Sequence, residues 1–346
     1  MNTPASITPR LAAETGERGL IERIRRRLPP APPDLIVGPG DDAAVVRPDR
    51  GSLQILTTDA LVEGVHFDFR FSSPADVGHK ALAVNLSDIA AMGGAPRFAL
   101  LSLMLPESCT LETVDQLLDG LLALAARSRV TVAGGNITRS PAPLVVDVAV
   151  TGAARVRKVL TRSGGRAGDR LYVSGRIGAA AAGLEWLRAQ DSVDPGRLPD
   201  DAALAECVER HRRPEPRNLL GVLLGRTRAA NACMDLSDGL ADAIRQVAEA
   251  SGTGAKIDSD RVPVHPAAAA WFRGRGADSV ECALAGGDDY ELLFTVPARF
   301  KGRLRAVTRQ VRGLALTHIG ELTAERSVRH VRNGVESDLP HGFAHF

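Results

Sequence analysis

One stretch of the sequence, residues 85–94, constrains the fold more than any other. It reads Asn-Leu-Ser-Asp-Ile-Ala-Ala-Met-Gly-Gly, so the carboxylate of Asp88 lies among apolar residues. Burying an unpaired carboxylate is costly, and Asp88 and Ser87 therefore need partners in the folded protein. Leu-Ser-Asp recurs at residues 236–238, directly after Asp235. We expect both copies to bind the same ligand, for which a multivalent cation is the natural candidate.

Helical and strand patterns alternate along both halves of the chain, which predicts an α/β (α+β) fold with mixed sheets covered by helices. A length of 346 residues favours two domains over one. We predict an N-terminal domain over residues 19–153 and a C-terminal domain over residues 154–346. Residues 1–18 have no apolar signal core and are predicted to be disordered. Residues 211–217, which contain two prolines, are predicted to form a stiff connector.

The polar motifs lie at the ends of predicted elements. A helical pattern covers residues 74–92, with Gly93-Gly94 as its stop. A second helical pattern covers residues 235–251 and opens at the second Leu-Ser-Asp. A strand is predicted over residues 130–133, ending at Gly134-Gly135-Asn136. Loops at such ends can bring polar side chains from distant parts of the chain together.

Composition excludes several classes of protein. A formal charge of +2 gives no electrostatic case for nucleic-acid binding, and aromatic residues at 4% leave few stacking platforms. No apolar run approaches the roughly 20 residues that span a bilayer, so we expect a cytoplasmic protein that does not bind membranes. The four Cys residues are far apart, which disfavours a zinc site or a disulfide framework.

Five clusters combine acidic residues with Gly, Ser or Thr. They are residues 40–42 (Gly-Asp-Asp), 57–59 (Thr-Thr-Asp), 85–88 (Asn-Leu-Ser-Asp), 235–239 (Asp-Leu-Ser-Asp-Gly) and 286–289 (Gly-Gly-Asp-Asp). Oxygen ligands of this kind suit Mg²⁺, which completes its shell with water and phosphate oxygens. Any one cluster could be only a turn or a helix cap. Asp235 in particular could be an N-cap, and such a cap is compatible with anion binding at the helix start.

The chain lacks the phosphate-binding motif G-x-x-x-x-G-K-[ST], yet a kinase is still possible. Phosphoryl transfer needs metals and positive donors around the moving group, and Arg162 is a candidate donor. An acceptor that is itself a phosphate needs no general base, since its second pKa is about 6. The carboxylates would then act as metal ligands instead of proton acceptors.

Together these motifs resemble the thiamine-monophosphate kinases, a family of the aminoimidazole-ribonucleotide-synthetase-like superfamily. The matching motifs are residues 38–44, 57–59 with His66, 80–88, 134–135, 160–164, 235–239, 286–292 and 342–346. The resemblance implies the two-domain fold of that superfamily and a phosphotransferase with a phosphate group as acceptor. The reaction would be ATP-dependent phosphorylation of thiamine phosphate to thiamine diphosphate, the last step of that cofactor's synthesis. A homodimer joined through the N-terminal domains is also implied, with ATP between the domains.

The resemblance also implies roles for individual residues. The implied Mg²⁺ ligands are Asp42, Thr57, Thr58, Asp59, Asp88, Asp235 and Asp238. The implied ATP contacts are Gly134, Gly135, Asn136, Arg162 and Ser237, and the implied contacts to thiamine phosphate are His66 and Asp288. Asp88, Asp59 and Arg162 are the predicted catalytic residues. Mg²⁺ and ATP are thus the expected cofactor and co-substrate, and a requirement for K⁺ stays open.

The sequence departs from the family pattern at three positions. Asn136 stands where the family commonly has Asp, so a metal ligand there would keep a carbonyl oxygen and lose a charge. Asp288 stands where Glu is frequent, so its reach is shorter. Near the C-terminus Pro340 takes one plausible place of an aromatic residue that holds the thiamine rings, and Phe343 is the alternative.

Two functions other than the kinase stay open from the sequence. Another ATP-using enzyme of the superfamily, of the purine cyclo-ligase type, shares the ATP chemistry but fits residues 160–164 and the C-terminal motif less well. A non-catalytic relative that binds nucleotide or metal is favoured only by Asn136. For the kinase we expect direct in-line transfer, because no side-chain nucleophile stands out.

Overall fold

The computed structural model describes residues 10–39, 43–190 and 194–342. The helices are α1 (Ala12–Arg27), α2 (Pro74–Ala91), α3 (Leu111–Ser128), α4 (Ala179–Arg188), α5 (Ala202–Arg212), α6 (Asn218–Thr227), α7 (Leu240–Ala250), α8 (Pro266–Gly274), α9 (Ser279–Ala285) and α10 (Lys301–Gln310). The strands are β1 (Leu35–Val37), β2 (Val45–Val46), β3 (Ser52–Val62), β4 (Ala95–Leu105), β5 (Thr131–Arg139), β6 (Val145–Arg155), β7 (Arg170–Ser174), β8 (Ala232–Asp235), β9 (Gly254–Asp258), β10 (Leu292–Val296), β11 (Leu316–Thr323), β12 (Val328–Arg332) and β13 (Val335–Asp338). The predicted mixture of helices and sheets is confirmed. None of these helices combines the length and the apolar character needed to cross a bilayer.

The first sheet has four strands in the order β3-β6-β4-β5, so β3 and β5 are its edges. Strand β5 runs parallel to β4, and the other neighbours are antiparallel. Side chains alternate between the two faces, and those of one face pack with α2 and α3 into a single apolar core. The opposite face carries the exposed side chains of Leu56 and Leu100.

Local signals delimit α2, the helix that carries the first polar motif. Ser73 and Asp76 form a capping box: the Asp76 N–H donates to Ser73 Oγ at 3.2 Å, and the Ser73 N–H donates to Asp76 Oδ2 at 2.9 Å. Pro74 occupies the first turn, where its missing N–H costs no hydrogen bond. The helix ends at Ala91, and Gly93 follows with φ of 71°. The predicted glycine stop is confirmed.

Two glycines allow α2 and α3 to touch through their backbones. A Cβ on Gly78 would lie 1.9 Å from the carbonyl oxygen of Leu117, and a Cβ on Gly120 would lie 1.8 Å from that of Ala75. The contact is reciprocal, since each helix supplies one glycine and one carbonyl. This close approach fixes α2 against α3.

The second sheet has seven strands in the order β13-β12-β9-β11-β7-β10-β8. Strands β12 and β9 are parallel, and all other neighbours in that order are antiparallel. Apolar side chains cover both faces: Leu293 packs in a cluster with Ile244 of α7, and Phe294 packs in another with Leu224 of α6. The adjacent residues of β10 therefore belong to different cores, as strand alternation requires.

Helices α2 and α6 connect the two sheets. Ala90 and Ala91 at the end of α2 share an apolar cluster with Leu220 and Leu224 of α6. A Cβ on Gly221 would lie 2.0 Å from the carbonyl oxygen of Ala90, so the two backbones are in contact. The last turn of α2, with the first polar motif, is thereby held beside the second sheet.

Two expectations are corrected. Residues 12–18 are helical instead of disordered, while residues 1–9 lie outside the described part of the chain. Ala12 is 2% exposed, and its N–H donates to the carbonyl of Cys109 at 2.8 Å, a distant contact that no local pattern reveals. The predicted connector at residues 211–217 begins inside α5, which runs to Arg212. The domain boundary near residue 153 stays a prediction.

We predict that Gly120→Ala destabilises the protein, because its methyl group would overlap a backbone carbonyl that cannot move alone. Overpacking of this kind costs about 1–3 kcal/mol. Urea unfolding followed by circular dichroism measures the loss. Gly302→Ala is the matched control, since Gly302 lies in α10 with open space around its Cβ position, and there we expect a gain of about 0.5–1 kcal/mol. Equal effects of the two substitutions would contradict the packing account.

Candidate active site

A cleft of about 560 Å³ is lined by residues from both halves of the chain. The residues from the first half include Asp59, Val65, His66, Phe67, Phe71, Lys80 and Asp88. The residues from the second half include Arg162, Leu184, Arg188, His211, Asp235, Ser237, Asp238, Asp288 and Tyr290. Most of the predicted site residues therefore face one space.

Three carboxylates form the acidic cluster of the cleft. Asp59 lies near the end of β3, Asp88 in the last turn of α2, and Asp235 at the end of β8. Thr57 Oγ1 donates to Asp88 Oδ2 at 2.5 Å, and the carboxyl group of Asp59 is also hydrogen bonded to Asp88. Ser87 Oγ donates to Asp235 Oδ2 at 2.8 Å, which joins α2 to β8. The cluster is thus built by both halves of the chain.

Burial is the largest influence on all three carboxylates, and it raises each pKa. Repulsion from Asp88 adds to it, so the pKa of Asp59 is raised to about 7 and that of Asp235 to about 7. The pKa of Asp88 is also raised by burial, although the hydroxyl of Thr57 and the charge of Arg162 oppose the shift. The cluster therefore shares protons near neutral pH, and a bound cation would replace them.

The donor types of this cluster fit a hard divalent cation. Carboxylate and hydroxyl oxygens are the ligands that Mg²⁺ prefers, and its charge would offset the repulsion between the carboxylates. Asp42, a predicted ligand, lies outside the described residues. Within the part of the chain that is described, no set of three or more His, Cys, Asp or Glu side chains is already arranged around one metal position. A Mg²⁺ ion held by one or two of these carboxylates would complete its shell with water and phosphate oxygens.

The predicted helix from Asp235 begins later than expected. Strand β8 ends at Asp235 and α7 begins at Leu240, so residues 236–238 form the turn between them. Gly239 has φ of 100°, and a Cβ there would lie 2.9 Å from the carbonyl oxygen of Ala285. Asp235 is therefore a strand-end residue and not an N-cap. The two Leu-Ser-Asp copies adopt different structures, one helical and one in a strand-to-helix turn.

The predicted ATP contacts divide into two groups. Arg162 and Ser237 line the cleft, and Arg162 Nη1 donates to Gln246 Oε1 at 2.5 Å. Residues 134–136 lie in edge strand β5, which continues through them instead of ending there, and they are outside the cleft lining. Gly135 has a packing reason to lack a side chain, because a Cβ would lie 1.8 Å from a backbone oxygen of β4.

Strand alternation separates Thr58 from the other two predicted metal ligands of β3. The side chains of Thr57 and Asp59 share one face of β3, whereas Thr58 points to the other face, where its hydroxyl donates to Asp147 Oδ1 at 2.8 Å. The side chain of Thr58 is therefore not brought to the acidic cluster. Asp238, the remaining predicted ligand in the second half, does line the cleft.

The two predicted substrate contacts are linked by a lysine. His66 Nδ1 accepts a hydrogen bond from the Val62 N–H at 3.1 Å. Asp288 accepts from Lys80 Nζ at 2.8 Å and from the hydroxyl of Tyr290 at 3.2 Å. Lys80 Nζ also donates to the carbonyl oxygen of His66 at 3.4 Å. Lys80 therefore holds together the parts of the cleft that carry His66 and Asp288.

Lys80 and His211 had no predicted role in the site. A usable signal existed for Lys80, since a lysine within an apolar helical pattern is seldom buried unless it is paired. His211 offered no such signal, because its neighbours in the sequence predict a connector. Phe343, the candidate aromatic residue for the thiamine rings, lies outside the described residues.

The adjacent acids Asp288 and Asp289 have different surroundings. Asp289 accepts hydrogen bonds from the N–H groups of Gly178 at 2.6 Å and Ala180 at 3.3 Å, so it caps the start of α4. Burial raises the pKa of Asp289 to about 7. Asp288 is the acid of this turn that lines the cleft. The sequence motif thus combines a structural residue with a candidate binding residue.

Comparison with known proteins agrees over both halves of the chain. Residues 40–154 match the family described as AIR synthase related protein, N-terminal domain, and residues 166–333 match the corresponding C-terminal domain. The chain is 37% identical over 334 residues to a thiamine-monophosphate kinase of Salmonella typhimurium, and the match covers 96% of this chain and 98% of the relative.

Solved structures show the same similarity. The crystal structure of thiamine-monophosphate kinase from Stenotrophomonas maltophilia superposes with a TM-score of 0.79 at 36% identity, covering 91% of this chain and 96% of that one. A structure of AaThiL complexed with AMPPCP and TMP superposes with a TM-score of 0.74 at 33% identity, covering 99% of this chain and 100% of that one.

The raised pKa values predict that, in EDTA, Asp59 and Asp235 contribute less to stability as the pH rises. Aspartates ionise near pH 4 in an unfolded chain, whereas Asp59 and Asp235 keep their protons up to about pH 7 when folded. Between these values the folded state binds more protons at these two groups, so their contribution to the free energy of unfolding falls as the pH rises from about 4 to about 7. Thermal unfolding in EDTA across this range measures the slope.

Asp235→Asn removes one of these groups and should flatten the decline, since the amide does not titrate. Asp119→Asn, at an exposed acid of α3 remote from the cleft, should leave the slope as it is in the parent protein. Parallel curves for the parent protein and Asp235→Asn would refute the assignment of the pH dependence to the acidic cluster.

Proposed function

The chain belongs to the thiamine-monophosphate kinase family of the AIR synthase related proteins, and we propose that it catalyses the ATP-dependent phosphorylation of thiamine monophosphate to thiamine diphosphate. This is the last step of thiamine diphosphate synthesis, and we propose a cytoplasmic location for it. The observation that carries the proposal is the acidic cluster in which Asp59 and Asp88 from one half of the chain meet Asp235 from the other. The relatives named thiamine-monophosphate kinase, and the AaThiL complex with AMPPCP and TMP, support the choice of substrates.

We propose that Asp59, Asp88, Asp235 and Asp238 hold Mg²⁺, together with the hydroxyl of Thr57. When bound, the metal neutralises charge on the phosphates and on the transferring group. The burial and mutual repulsion of Asp59, Asp88 and Asp235 support this role, because these three carboxylates lack enough nearby positive charge to ionise easily. Asp42 remains a proposed ligand from the predicted set.

The side chains around the acidic cluster would orient the two substrates. Arg162, whose charge already acts on Asp88 and Asp235, is proposed to bind the phosphates of ATP together with Ser237. Gly134, Gly135 and Asn136 stay proposed ATP contacts from the family resemblance. His66 and Asp288 are proposed to bind thiamine monophosphate, and both line the same cleft as the acidic cluster.

We propose direct in-line transfer between the two substrates. The acceptor phosphate is largely ionised at neutral pH, since its second pKa is about 6, and it needs no general base. The carboxylates would therefore be occupied as metal ligands, and no phosphorylated residue would form. The cleft walls would limit the access of water to the transferring group.

We further propose a homodimer formed through the outer face of the first sheet. On that face the side chain of Leu56 is 71% exposed and that of Leu100 is 43% exposed, while α2 and α3 pack on the opposite face. Contact between two such faces would bury these leucines. The dimer interface would then lie within the predicted N-terminal domain.

We predict that the purified protein converts thiamine monophosphate and ATP to thiamine diphosphate and ADP only when Mg²⁺ is present. Asp88→Asn should lower kcat by about 100-fold or more, because it removes a charge needed to hold the metal. It should not lower the unfolding temperature in EDTA, since a repelling charge is lost. Asp119→Asn serves as the control. The absence of thiamine diphosphate over a range of Mg²⁺ concentrations would exclude the kinase, and unfolding of Asp88→Asn would indicate a structural role.

The dimer is tested by Leu56→Glu, which places a charge in the proposed interface. Light scattering after size-exclusion chromatography should show the mass falling from that of a dimer to that of a monomer. Leu219→Glu is the matched control, because Leu219 is another exposed leucine, located on α6 outside the first sheet. A monomeric parent protein, or a dimer that persists in Leu56→Glu, would count against this interface.

A further inference from the structure

The carboxylate of Asp288 is placed by the backbone of its loop. Asp288 has φ of 66° and Tyr290 has φ of 48°, both in the left-handed region. The Asp288 N–H donates to the carbonyl of Ser237 at 2.7 Å, and the Tyr290 N–H donates to that of Leu236 at 3.0 Å. These two bonds attach the loop to the turn after β8, so strain at two residues is offset by fixed hydrogen bonds.

Two buried basic side chains meet at Asp288 Oδ2. Lys80 of α2 is 4% exposed, with its Nζ at 2.8 Å, and His211 of α5 is 4% exposed, with its Nδ1 at 3.5 Å. Within the described residues His211 Nδ1 makes no hydrogen bond of good geometry. The second oxygen, Oδ1, accepts from the hydroxyl of Tyr290 at 3.2 Å. Two helices and a neighbouring residue of the loop thus converge on one carboxylate that lines the cleft.

The charge state of Asp288 follows from this environment. Burial by itself would raise the pKa of Asp288, but the Lys80 ammonium and the contact with His211 outweigh it and hold that pKa well below its usual range. Burial and the nearby ammonium lower the pKa of His211, so its ring is neutral. Asp288 is consequently an anion with its counter-ion already in place.

The surroundings of Asp288 contrast with those of the acidic cluster. Val65, Phe67, Phe71 and Leu184 supply apolar surface to the same cleft. An ionised carboxylate among apolar walls is a strong acceptor for the N–H donors of a flat organic ring. The acidic cluster instead offers several carboxylates to cations, through which phosphates would be held.

We propose that Lys80 and His211 are positioning residues for the acceptor substrate: they hold Asp288 in the orientation in which it accepts hydrogen bonds from the aminopyrimidine of thiamine monophosphate. This inference rests on the proposed function and extends it to residues outside the acidic cluster. Lys80 acts through Asp288 and carries no part of the phosphoryl transfer. Its removal should therefore affect binding of the acceptor and leave binding of ATP unchanged.

The test is steady-state kinetics with each substrate varied in turn. In Lys80→Met we expect KM for thiamine monophosphate to rise by about tenfold, as for loss of a charge-assisted hydrogen bond, with KM for ATP unchanged. Lys80→Arg, which keeps the charge, should restore much of the affinity. Lys256→Met is the matched control, because Lys256 forms a similar pair with Glu336 at 2.6 Å on the exposed surface.

A double-mutant cycle with Asp288→Asn shows whether Lys80 acts through that residue. The double variant should bind thiamine monophosphate no more weakly than Asp288→Asn alone. Calorimetric binding of thiamine monophosphate, measured beside turnover, separates this inference from the proposed function. A parent protein that binds the acceptor but makes no product would refute the kinase alone.

Other results would overturn the positioning role. They are an unchanged acceptor KM in Lys80→Met, equal rises in both KM values, or additive effects in the double variant. If Lys80→Met does not fold, His211→Asn and Lys80→Arg decide: the first should raise the acceptor KM selectively and the second should not. Unchanged acceptor binding in His211→Asn would then refute the proposal.

Discussion

The site depends on one electrostatic constraint: three carboxylates are brought together where water cannot fully screen them. Asp59, Asp88 and Asp235 come from β3, α2 and β8, and their burial raises every pKa in the set. Such an arrangement is unfavourable unless protons or cations share the charge. The packing of α2 against α3 and α6 holds the carboxylates together in spite of this repulsion. The favourable packing of these helices thus offsets the unfavourable electrostatic energy of the site, as is common in sites that bind a cation.

Much of the fold and of the candidate site could be predicted from the sequence, because the relevant signals are local. The helix over residues 74–92 and its glycine stop follow from periodicity and cap residues within a few positions. The acidic clusters were visible as short motifs, and the structure brings Asp59, Asp88, Asp235 and Asp238 to one cleft. Local rules also account for the side chain of Thr58, because alternation along β3 places it on the face opposite Thr57 and Asp59.

What could not be predicted depends on contacts between distant residues. The two Leu-Ser-Asp copies share their letters, yet one is helical and the other is a turn, because pairing of β8 with β10 competes with helix formation at Asp235. His211 is buried by elements that its sequence neighbours do not identify. The pair between Glu291, 1% exposed, and Arg217 was also not predicted, although it links the start of α6 to the residue before β10. Tertiary context overrides local pattern at each of these positions.

The distance along the chain between paired residues has a consequence for synthesis of the protein. The hydrogen bond from Ser87 to Asp235 joins residues 148 positions apart, and the one from Lys80 to Asp288 joins residues 208 positions apart. During translation the first sheet can fold while these polar groups of α2 still face solvent or a chaperone. Assembly of the cleft is therefore a late event, possible only when most of the chain has left the ribosome. A chain that ends before α6 would leave Ser87 without its partner Asp235 and would expose Ala90 and Ala91, which α6 otherwise covers.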